Sequence, residues 1–350
     1  MRELIGVVGA GTMGAGIAQV ALENGHEVVL HDVDELAVER GRERIRDGLM
    51  RRARKLDMDD ESADEWAEGR LTNLREATTL DEAGAGADVV IEAALEDLEL
   101  KRTIFRALDA AAPAEAILAT NTSALSVGSI AGATMRPGRV VGLHFFNPAP
   151  VMSLVEVVAH PGTDPAAAGR AATLVASWGK TPVRSADVPG FIVNRVNRPF
   201  TIEALRILEE GGAGVVAIDD AIRDVGYPMG PFELMDFIGL DVNLAASRGV
   251  WEGLDRPDRL RPSRVQDELV VAGKLGRKSG QGFYPVTSTT PAGAMSPEAI
   301  VGRILEAIEL EADMARDEGV ATEGDIDLAL RLGAGHPEGP FERRRRLAAG

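Results

Sequence analysis

The feature that most constrains the fold is a glycine-rich turn near the N-terminus, between a buried strand and a helix. The strand is predicted at Leu4–Val8, and the helix continues through Ile17–Leu22. The turn has the spacing G-x-G-x-x-G, with glycines at Gly9, Gly11 and Gly14. A tight turn, a close approach of backbone to pyrophosphate and a helix packed on the sheet each favour glycine. The pattern predicts a βαβ unit that binds dinucleotide phosphates at the helix N-terminus.

A second strand, predicted at Glu27–His31, ends at an acid that indicates which cofactor binds. Asp32 follows this strand and is expected to hydrogen-bond the adenosine ribose hydroxyls. Its charge would repel a 2′-phosphate, so NAD is favoured over NADP. A glycine-rich turn without a ligand is the alternative, and the combination of strand, turn, helix and acid argues against it.

Length and composition exclude several classes of protein. The 350 residues, of which 45% are hydrophobic, predict two or three domains with a substantial core. Because cysteine is absent, disulfides, thiolate zinc sites and cysteine nucleophiles are excluded, and no metal site is predicted. The net charge of −17 argues against a nucleic-acid partner. An acidic chain with few lysines fits either a salt-rich cytoplasm or a GC-rich genome.

The chain shows no pattern that predicts membrane association or export. It has no apolar run long enough to span a bilayer. The N-terminus enters an apolar strand almost at once and lacks the architecture of a signal peptide. A cytoplasmic enzyme with no membrane partner is therefore expected.

Two short apolar runs in the middle of the chain, Val140–Leu143 and Leu154–Val158, flank a loop that contains two prolines. They are predicted to pair as antiparallel strands. If the pairing is centred near Pro150, His144 lies opposite Glu156. An imidazole held by a carboxylate is a general base whose tautomer is set. A structural ion pair at the end of a sheet is the alternative.

Two further buried strands, Ala87–Ala94 and Ala116–Thr120, are followed by polar side chains. In an open parallel sheet, ligands bind at the carboxyl ends of the strands. We therefore expect three residues near the cofactor: Glu96, Asn121 and Ser123. Taken alone, Ser123 or Ser126 would more often be the cap of a following short helix.

A charged segment follows the second strand and is predicted to form a helical hairpin. Its first helix, Glu35–Lys55, ends in a basic cluster, and its second, Asp57–Trp66, is acidic. The cluster consists of Arg51, Arg52, Arg54 and Lys55. It either balances the acids that follow or contacts the phosphates of a large substrate.

The second half of the chain is predicted to be helical and to contain an internal repeat. IVNR at 192–195 returns as IVGR at 300–303, IDDAIR at 218–223 returns as IDLALR at 326–331, and GPFE at 230–233 returns at 339–342. We predict a sheet domain at 1–186, a helical domain at 187–285, a linker at 286–297 and a truncated helical repeat at 298–350. The final ERRRRLAAG is expected to be a solvated tail.

Asn194 lies in the first turn of a long helix predicted to start at Phe191. Taken alone, it would more often be a cap or a polar neighbour than a ligand. The equivalent residue in the repeat is Gly302. A polar group present only in the first copy suits a site role better than a packing role.

Together these motifs resemble the L-3-hydroxyacyl-CoA dehydrogenase family, in particular its 3-hydroxybutyryl-CoA dehydrogenases. They are VGAGTMGAGIA, NTSALSV, GLHFFNPAPVMSLVEVV, PGFIVNR, GYPMGPFELMDFIGLD and GRKSGQGFY. The resemblance implies an α/β fold: a Rossmann-type NAD-binding domain, an all-α domain and a truncated all-α repeat. It implies NAD-dependent oxidation of (S)-3-hydroxyacyl-CoA to 3-oxoacyl-CoA, as in fatty-acid β-oxidation or butanoate metabolism.

The resemblance also implies a role for each candidate residue. His144 would be the base and Glu156 its partner, Ser123 would hydrogen-bond the reacting oxygen, and Asn194 would hold the substrate. Cofactor contacts are implied at Gly9, Gly11, Thr12, Met13, Gly14, Asp32, Glu96, Lys101, Asn121 and Lys278. The substrate coenzyme A would contact Ser123 and either Arg54 or Lys55.

Family members with one helical domain dimerise through it, so this chain is expected to be a homodimer or a monomer completed by its own repeat. Two other functions stay open. One is an NAD-dependent dehydrogenase of a free hydroxy acid or sugar acid, and the other is a non-catalytic NAD-binding structural protein.

Overall fold

The computed structural model describes residues 2–285 and 294–349. The chain divides into two compact units, Met1–Asp187 and Val188–Gly350. Most of the predicted linker at 286–297 lies outside the described residues. None of the helices in the described ranges combines the length and apolar character that a bilayer crossing requires.

The first unit contains an eight-stranded sheet. Its strands are β1 (Leu4–Val8), β2 (Glu27–His31), β3 (Leu74–Ala77), β4 (Val89–Glu92), β5 (Ile117–Thr120), β6 (Val140–Phe145), β7 (Leu154–Ala159) and β8 (Thr181–Ala186). Their order is β3-β2-β1-β4-β5-β6-β7-β8, and all neighbours run parallel except β6 and β7. The carboxyl ends of β1, β4, β5 and β6 therefore share one edge of the sheet.

Helices join these strands and complete the core. They are α1 (Thr12–Glu23), α2 (Glu35–Arg54), α3 (Asp60–Leu71), α4 (Leu80–Gly84), α5 (Leu98–Ala111), α6 (Val127–Ala131) and α7 (Pro165–Ser177). Both β4 and β5 are buried along their whole length, as expected for parallel strands covered on both faces. The main core cluster joins apolar side chains of β1, β2 and β6 with those of α1, α2 and α7. The sequence did not predict β3, whose two central residues are exposed.

The charged segment after β2 forms the two helices α2 and α3. Arg46 of α2 links them by ion pairs of 2.6 Å with Asp64 and Glu68 of α3. On its other side α2 packs closely against α1. The helices are so close at Gly48 that a Cβ there would lie 1.9 Å from Gln19 Oε1. The end of α2 is therefore held beside the helix that begins at the glycine turn.

The described residues of the second unit form helices joined by loops and short 3-10 turns, with an isolated β-bridge between Gly276 and Gln281. Its helices are α8 (Val193–Val196), α9 (Arg198–Glu209), α10 (Val215–Asp224), α11 (Pro231–Ile238), α12 (Leu240–Gly253), α13 (Arg264–Val271), α14 (Pro297–Asp317), α15 (Glu323–Gly333) and α16 (Pro340–Ala349). The long helix predicted from Phe191 is wrong in detail, since it is divided at Asn197 into α8 and α9. Pro199 explains the division, because proline favours the first turn of a new helix and lacks an N–H for an interior one.

The predicted repeat corresponds to matching helices: α14 matches α8 and α9, α15 matches α10, and α16 matches α11. The matching helices also begin in the same way. Asp219 accepts a hydrogen bond of 2.9 Å from the Phe232 N–H at the start of α11. Asp327 does the same for the Phe341 N–H at the start of α16, also at 2.9 Å. The repeated sequence therefore builds a repeated local structure.

The two copies pair through reciprocal ion pairs. Arg195 of the first copy contacts Glu311 and Glu318 of the second at 2.8 and 2.7 Å. The residues at equivalent positions make the reverse contacts: Arg303 lies 3.0 Å from Glu203 and 2.6 Å from Glu210. Each copy thus presents the same surface to the other, as the subunits of a two-fold symmetric dimer do.

The predicted solvated tail is helical, and its residues from Arg345 to Ala349 are exposed as expected. The last residues form α16, and each of its four arginines pairs with an acid elsewhere in the unit. The pairs are Arg343 with Glu309, Arg344 with Asp313, Arg345 with Asp327 and Arg346 with Glu338. The run of like charges is therefore balanced by acids from α14, α15 and the turn before α16.

Candidate active site

The glycine turn follows β1 and leads directly into α1. Gly9 has φ of +100°, a conformation that favours glycine. A Cβ on Gly14 would lie 1.7 Å from the Gly9 carbonyl oxygen, so α1 could not pack on the turn with a larger residue there. A Cβ on Gly11 would meet no described atom within 4 Å. The space beside Gly11 is therefore open to a ligand, next to the N–H groups of α1 that begin at Thr12 and Met13.

Asp32 lies at the end of β2 and contacts the turn. One carboxylate oxygen accepts a hydrogen bond of 2.8 Å from the Ala10 N–H. The Gly9 N–H also donates to the His31 carbonyl at 2.8 Å. The turn and the acid are thus held together, which is the arrangement that suits a pyrophosphate and an adenosine ribose.

A buried ion pair lies at the end of β4, the strand next to β1. Lys101 is 1% exposed, and its Nζ lies 2.6 Å from Glu92 and 3.4 Å from Glu96. Glu92 also accepts hydrogen bonds from the Thr120 hydroxyl and the Ala94 N–H, both at 2.7 Å. The sequence did not indicate Glu92 as a site residue. Its one signal was its place at the end of an apolar strand. An acid there is rarely buried unless it is paired, so a nearby cation could have been expected.

Glu96 organises the loop after β5. Its Oε1 accepts hydrogen bonds from the Thr122 hydroxyl at 2.6 Å and from the N–H groups of Ser123 and Ala124 at 2.9 and 3.1 Å. Burial acts to raise the pKa of Glu96, but these hydrogen bonds and the charge of Lys101 outweigh it and hold the pKa below its usual value. Glu96 is therefore an ionised anchor for the loop that carries Ser123.

The loop after β5 contains both serines that were predicted as possible caps of α6, Ser123 and Ser126. The cap is Ser126, whose hydroxyl accepts from the Ser129 N–H at 3.1 Å. Ser123 is exposed and lies outside this cap. Asn121, at the start of the same loop, accepts a hydrogen bond of 2.8 Å from the Phe145 N–H of β6. Asn121 thus ties the end of β5 to the strand that carries His144.

His144 and Glu156 face each other across β6 and β7 in the predicted register. His144 Nδ1 lies 2.6 Å from Glu156 Oε2. The two side chains are 7% and 0% exposed. A carboxylate can only accept, so it selects the tautomer with hydrogen on Nδ1 and leaves Nε2 as the proton acceptor. The pair has the composition of a general base with an orienting partner, at the same sheet edge as the glycine turn.

A cavity of about 460 Å³ lies beside the glycine turn, between α1, α2 and the loop at 147–151. Four cationic side chains line it: Arg44, Arg51, Arg52 and Lys55. Glu23 is the one acid in the lining, and it lies 3.9 Å from Arg52. Arg54 lies outside the lining, and its guanidinium pairs with Asp60 at 3.1 Å. The cavity has the charge that suits a phosphate-bearing ligand.

Two candidate residues, Asn194 and Lys278, belong to the second unit. Asn194 is partly exposed in α8. Lys278 lies in a short 3-10 turn at Arg277–Ser279. Its Nζ contacts both carboxylate oxygens of Asp241, at 2.5 and 2.7 Å. In the described ranges, no three histidines or carboxylates come together as a metal site.

Comparisons with known proteins match both units to one family. The model of the 3-hydroxyacyl-CoA dehydrogenase NAD-binding domain matches residues 4–188, and that of the C-terminal domain matches residues 190–286. The 3-hydroxyadipyl-CoA dehydrogenase of Escherichia coli (strain K12) is 47% identical over 283 residues, which are 81% of this chain and 58% of that protein. The mitochondrial hydroxyacyl-coenzyme A dehydrogenase of Rattus norvegicus is 43% identical over 281 residues, which are 79% of this chain and 89% of that protein.

The likeness to a solved structure extends further along the chain. The crystal structure of 3-hydroxybutyryl-CoA dehydrogenase from Escherichia coli K12 matches with a TM-score of 0.90 at 35% identity. The match covers 99% of this chain and 91% of that one. It therefore includes the C-terminal helices that lie beyond the matched family domains.

Proposed function

Because the chain belongs to the 3-hydroxyacyl-CoA dehydrogenase family of NAD-dependent oxidoreductases, we propose that it oxidises (S)-3-hydroxyacyl-CoA to 3-oxoacyl-CoA, with His144 as the general base. The observation that carries this proposal is the buried contact of 2.6 Å between His144 Nδ1 and Glu156 Oε2. We infer that the reaction serves fatty-acid β-oxidation or butanoate metabolism, and that it takes place in the cytoplasm.

His144 accepts the proton of the substrate 3-hydroxyl at Nε2, because Nδ1 is committed to Glu156. The imidazolium that forms is stabilised by the Glu156 carboxylate, whose charge is little screened because the side chain is fully buried. NAD, when bound, supplies the acceptor for the hydride that leaves C3. The ring of Phe146, 4.5 Å from that of His144, limits the motion of the imidazole.

The other candidate residues bind and orient the two ligands. Ser123 hydrogen-bonds the reacting oxygen, and Asn194 helps to hold the substrate. Glu96 orders the loop of Ser123 through the hydrogen bonds described above. The residues proposed to hold NAD are Gly9, Gly11, Thr12, Met13, Gly14, Asp32, Glu96, Lys101, Asn121 and Lys278.

The phosphates of coenzyme A bind in the cavity beside the glycine turn. Arg51 lies in the last turn of α2 and Lys55 is the C-cap of that helix, four residues on, and both line the cavity. Within the described chain, neither makes an ion pair with an acid, so both charges are available to an anion. Arg54 is the weaker candidate because Asp60 already pairs with it.

The chain acts as a monomer completed by its own repeat. The reciprocal ion pairs of Arg195 and Arg303 support this assignment, since they use the surface through which two identical helical domains would otherwise pair. Light scattering of the purified protein should give the mass of one chain, 37.0 kDa. A mass twice as large at micromolar concentration would refute this assignment.

The proposed reaction is tested by following NADH formation with (S)-3-hydroxyacyl-CoA thioesters of increasing chain length. We expect turnover with at least one thioester and little with the free hydroxy acids. Turnover of a free hydroxy acid or sugar acid, without turnover of any thioester, would favour the alternative dehydrogenase. NAD binding without turnover of any of these compounds would favour a non-catalytic protein.

A further inference from the structure

Glu23, at the end of α1, is the one acid among the described residues that line the basic cavity beside the glycine turn. Its side chain is 16% exposed, and its Oε1 accepts a hydrogen bond of 2.7 Å from Gln19 Nε2. Its Oε2 lies 3.9 Å from Arg52 Nε, which is beyond hydrogen-bond distance. Because a carboxylate repels phosphates, its presence in a cavity that suits phosphates needs a reason.

Neutralising the nearby cations is not a sufficient reason, because two of them are committed to other groups. Lys180 Nζ donates to two carbonyls of the loop that follows β6, at 2.6 and 2.9 Å. The guanidinium carbon of Arg70 lies 3.4 Å from the centre of the Trp66 ring, and Nη1 donates to the Trp66 carbonyl at 3.2 Å. Neither cation hydrogen-bonds Glu23 within the described chain. Their positions are therefore fixed without this carboxylate.

Glu23 keeps an acceptor for a ligand. Among residues 2–285 and 294–349, Gln19 supplies the one hydrogen bond to this carboxylate. Burial raises the pKa of Glu23 above its usual value, because that bond and the charges nearby do not offset the loss of water. An N–H donor brought by a ligand would complete the hydrogen bonding of Oε2.

Glu23 and Arg52 together present an acceptor beside a donor. Both line the cavity, and Oε2 of the acid lies 3.9 Å from Nε of the guanidinium. The edge of adenine has the complementary pattern, an amino group next to a ring nitrogen that accepts. In hypoxanthine a carbonyl replaces the amino group, so this base would turn an acceptor toward the carboxylate. The pair therefore suits adenine and disfavours its deaminated form.

The place of this pair on α2 fits the chemistry of coenzyme A. Arg51 and Lys55, which are proposed to bind its phosphates, lie one residue before and three residues after Arg52. Residues three apart share one face of a helix, so Arg52 and Lys55 are neighbours. In coenzyme A, a single ribose joins the adenine to both the diphosphate and the 3′-phosphate. A base bound at Glu23 would therefore leave its phosphates beside these cations.

We propose that Glu23 and Arg52 bind the adenine of coenzyme A, with Glu23 Oε2 accepting from the 6-amino group and Arg52 donating to the adjacent ring nitrogen. Glu23 thereby determines specificity for the base, whereas Arg51 and Lys55 hold the phosphates. This inference rests on the proposed function, since it needs coenzyme A in this cavity.

The experiment measures, by calorimetry, the dissociation constants of free coenzyme A and of its 6-deamino analogue, in which hypoxanthine replaces adenine. We expect the native chain to bind coenzyme A about 10- to 100-fold more tightly, the effect of one hydrogen bond to a charged group. In Glu23→Gln, Gln19 still donates to the amide oxygen, so the new NH2 group faces the base. This group donates to the carbonyl of hypoxanthine, and the preference for adenine should fall below threefold.

Glu43→Gln is the matched control, because it removes an exposed acid of α2 that lies outside the cavity lining. It should leave the preference between the two ligands unchanged. If Glu23→Gln shifts both dissociation constants by the same factor and keeps the native preference, Glu23 acts only through its charge. That result would overturn the proposal.

The remaining outcomes separate this inference from the proposed function. Equal affinity of the native chain for the two ligands would overturn the inference and leave a site for the phosphates alone. If neither ligand binds at millimolar concentration, the coenzyme A site and the inference both fail. A preference for adenine in a chain that oxidises no thioester would support the inference and refute the proposed reaction.

Discussion

His144 Nδ1 lies 2.6 Å from Glu156 Oε2, directly across two antiparallel strands whose partner residues are buried. Nδ1 of the imidazole is thereby committed to Glu156, and in the proposed reaction Nε2 accepts the substrate proton. Because the carboxylate is fully buried, water screens its attraction for a protonated imidazole only weakly. The local sheet register therefore sets the geometry of the proposed base.

The first prediction concerns Glu156. In Glu156→Gln, the amide can donate to Nδ1 and favour the wrong tautomer, and the imidazolium loses its counter-charge. We expect kcat to fall by about 10²- to 10⁴-fold. The affinity for NAD, measured by fluorescence titration, should be unchanged. A variant that turns over within threefold of the native rate would show that Glu156 does not support the base.

The second prediction concerns the basic cavity beside the glycine turn. Neutralising Arg51 and Lys55 together, each to Gln, should raise KM for an acyl-CoA by about tenfold or more, because charged hydrogen bonds to phosphate are lost. The kcat should change less than twofold. An acyl thioester of N-acetylcysteamine lacks the phosphates, so its kinetics should not respond.

Two single variants complete this test. Arg42→Gln removes an exposed charge from α2, at a position where Arg42 pairs with Glu76. It should have no effect on KM for the acyl-CoA. Arg54→Gln and Lys55→Gln decide which of these two residues contacts the coenzyme A phosphates. Arg54→Gln should raise KM for the acyl-CoA less than Lys55→Gln does. Equal responses of the acyl-CoA and the truncated thioester would contradict a phosphate site in this cavity.

The third prediction concerns the pairing of the two helical copies. Glu311 is 1% exposed and accepts from both Arg195 and Arg259. In Glu311→Gln, these guanidinium groups lose a buried counter-charge, which should lower the free energy of unfolding by about 3 kcal/mol. Calorimetry should show a lower thermal midpoint. Glu306→Gln, at an exposed position of the same helix, should leave the midpoint within 1 °C or so, as surface substitutions usually do.

The fourth prediction concerns pH and Glu96. The folded pKa of Glu96 lies below the ordinary glutamate value of 4.5, so the unfolded chain binds more protons just below pH 4.5. The carboxylate therefore contributes stability that is full above pH 4.5 and lost as the pH falls through the folded pKa. The stability difference between the native chain and Glu96→Gln should be largest near neutral pH and shrink below pH 4.5. Urea unfolding at several pH values measures it, and a difference independent of pH would contradict the assignment.

The sequence predicted the sheet and the facing pair because both depend on local patterns. The strand, glycine turn, helix and acid follow one another within thirty or so residues, as such units do. The register that places His144 opposite Glu156 requires only two short runs and a loop. Such features need no knowledge of distant parts of the chain.

The features that the sequence did not predict depend on contacts that only the folded chain makes. The ion pairs of the α16 arginines with Glu309, Asp313 and Asp327 are not evident in the run of charges, because these acids lie on other helices. Glu92 looked like part of an apolar strand because its partner, Lys101, lies on the next helix.

The central claim is that His144 removes the proton from the substrate hydroxyl. The most direct test is steady-state NADH formation by His144→Gln, with the binding of NAD measured in the same preparation. We expect NAD binding to be unchanged and kcat to fall by about 10⁴-fold, the scale of removing a positioned general base. A variant that binds NAD and retains kcat within tenfold of the native chain would contradict the account.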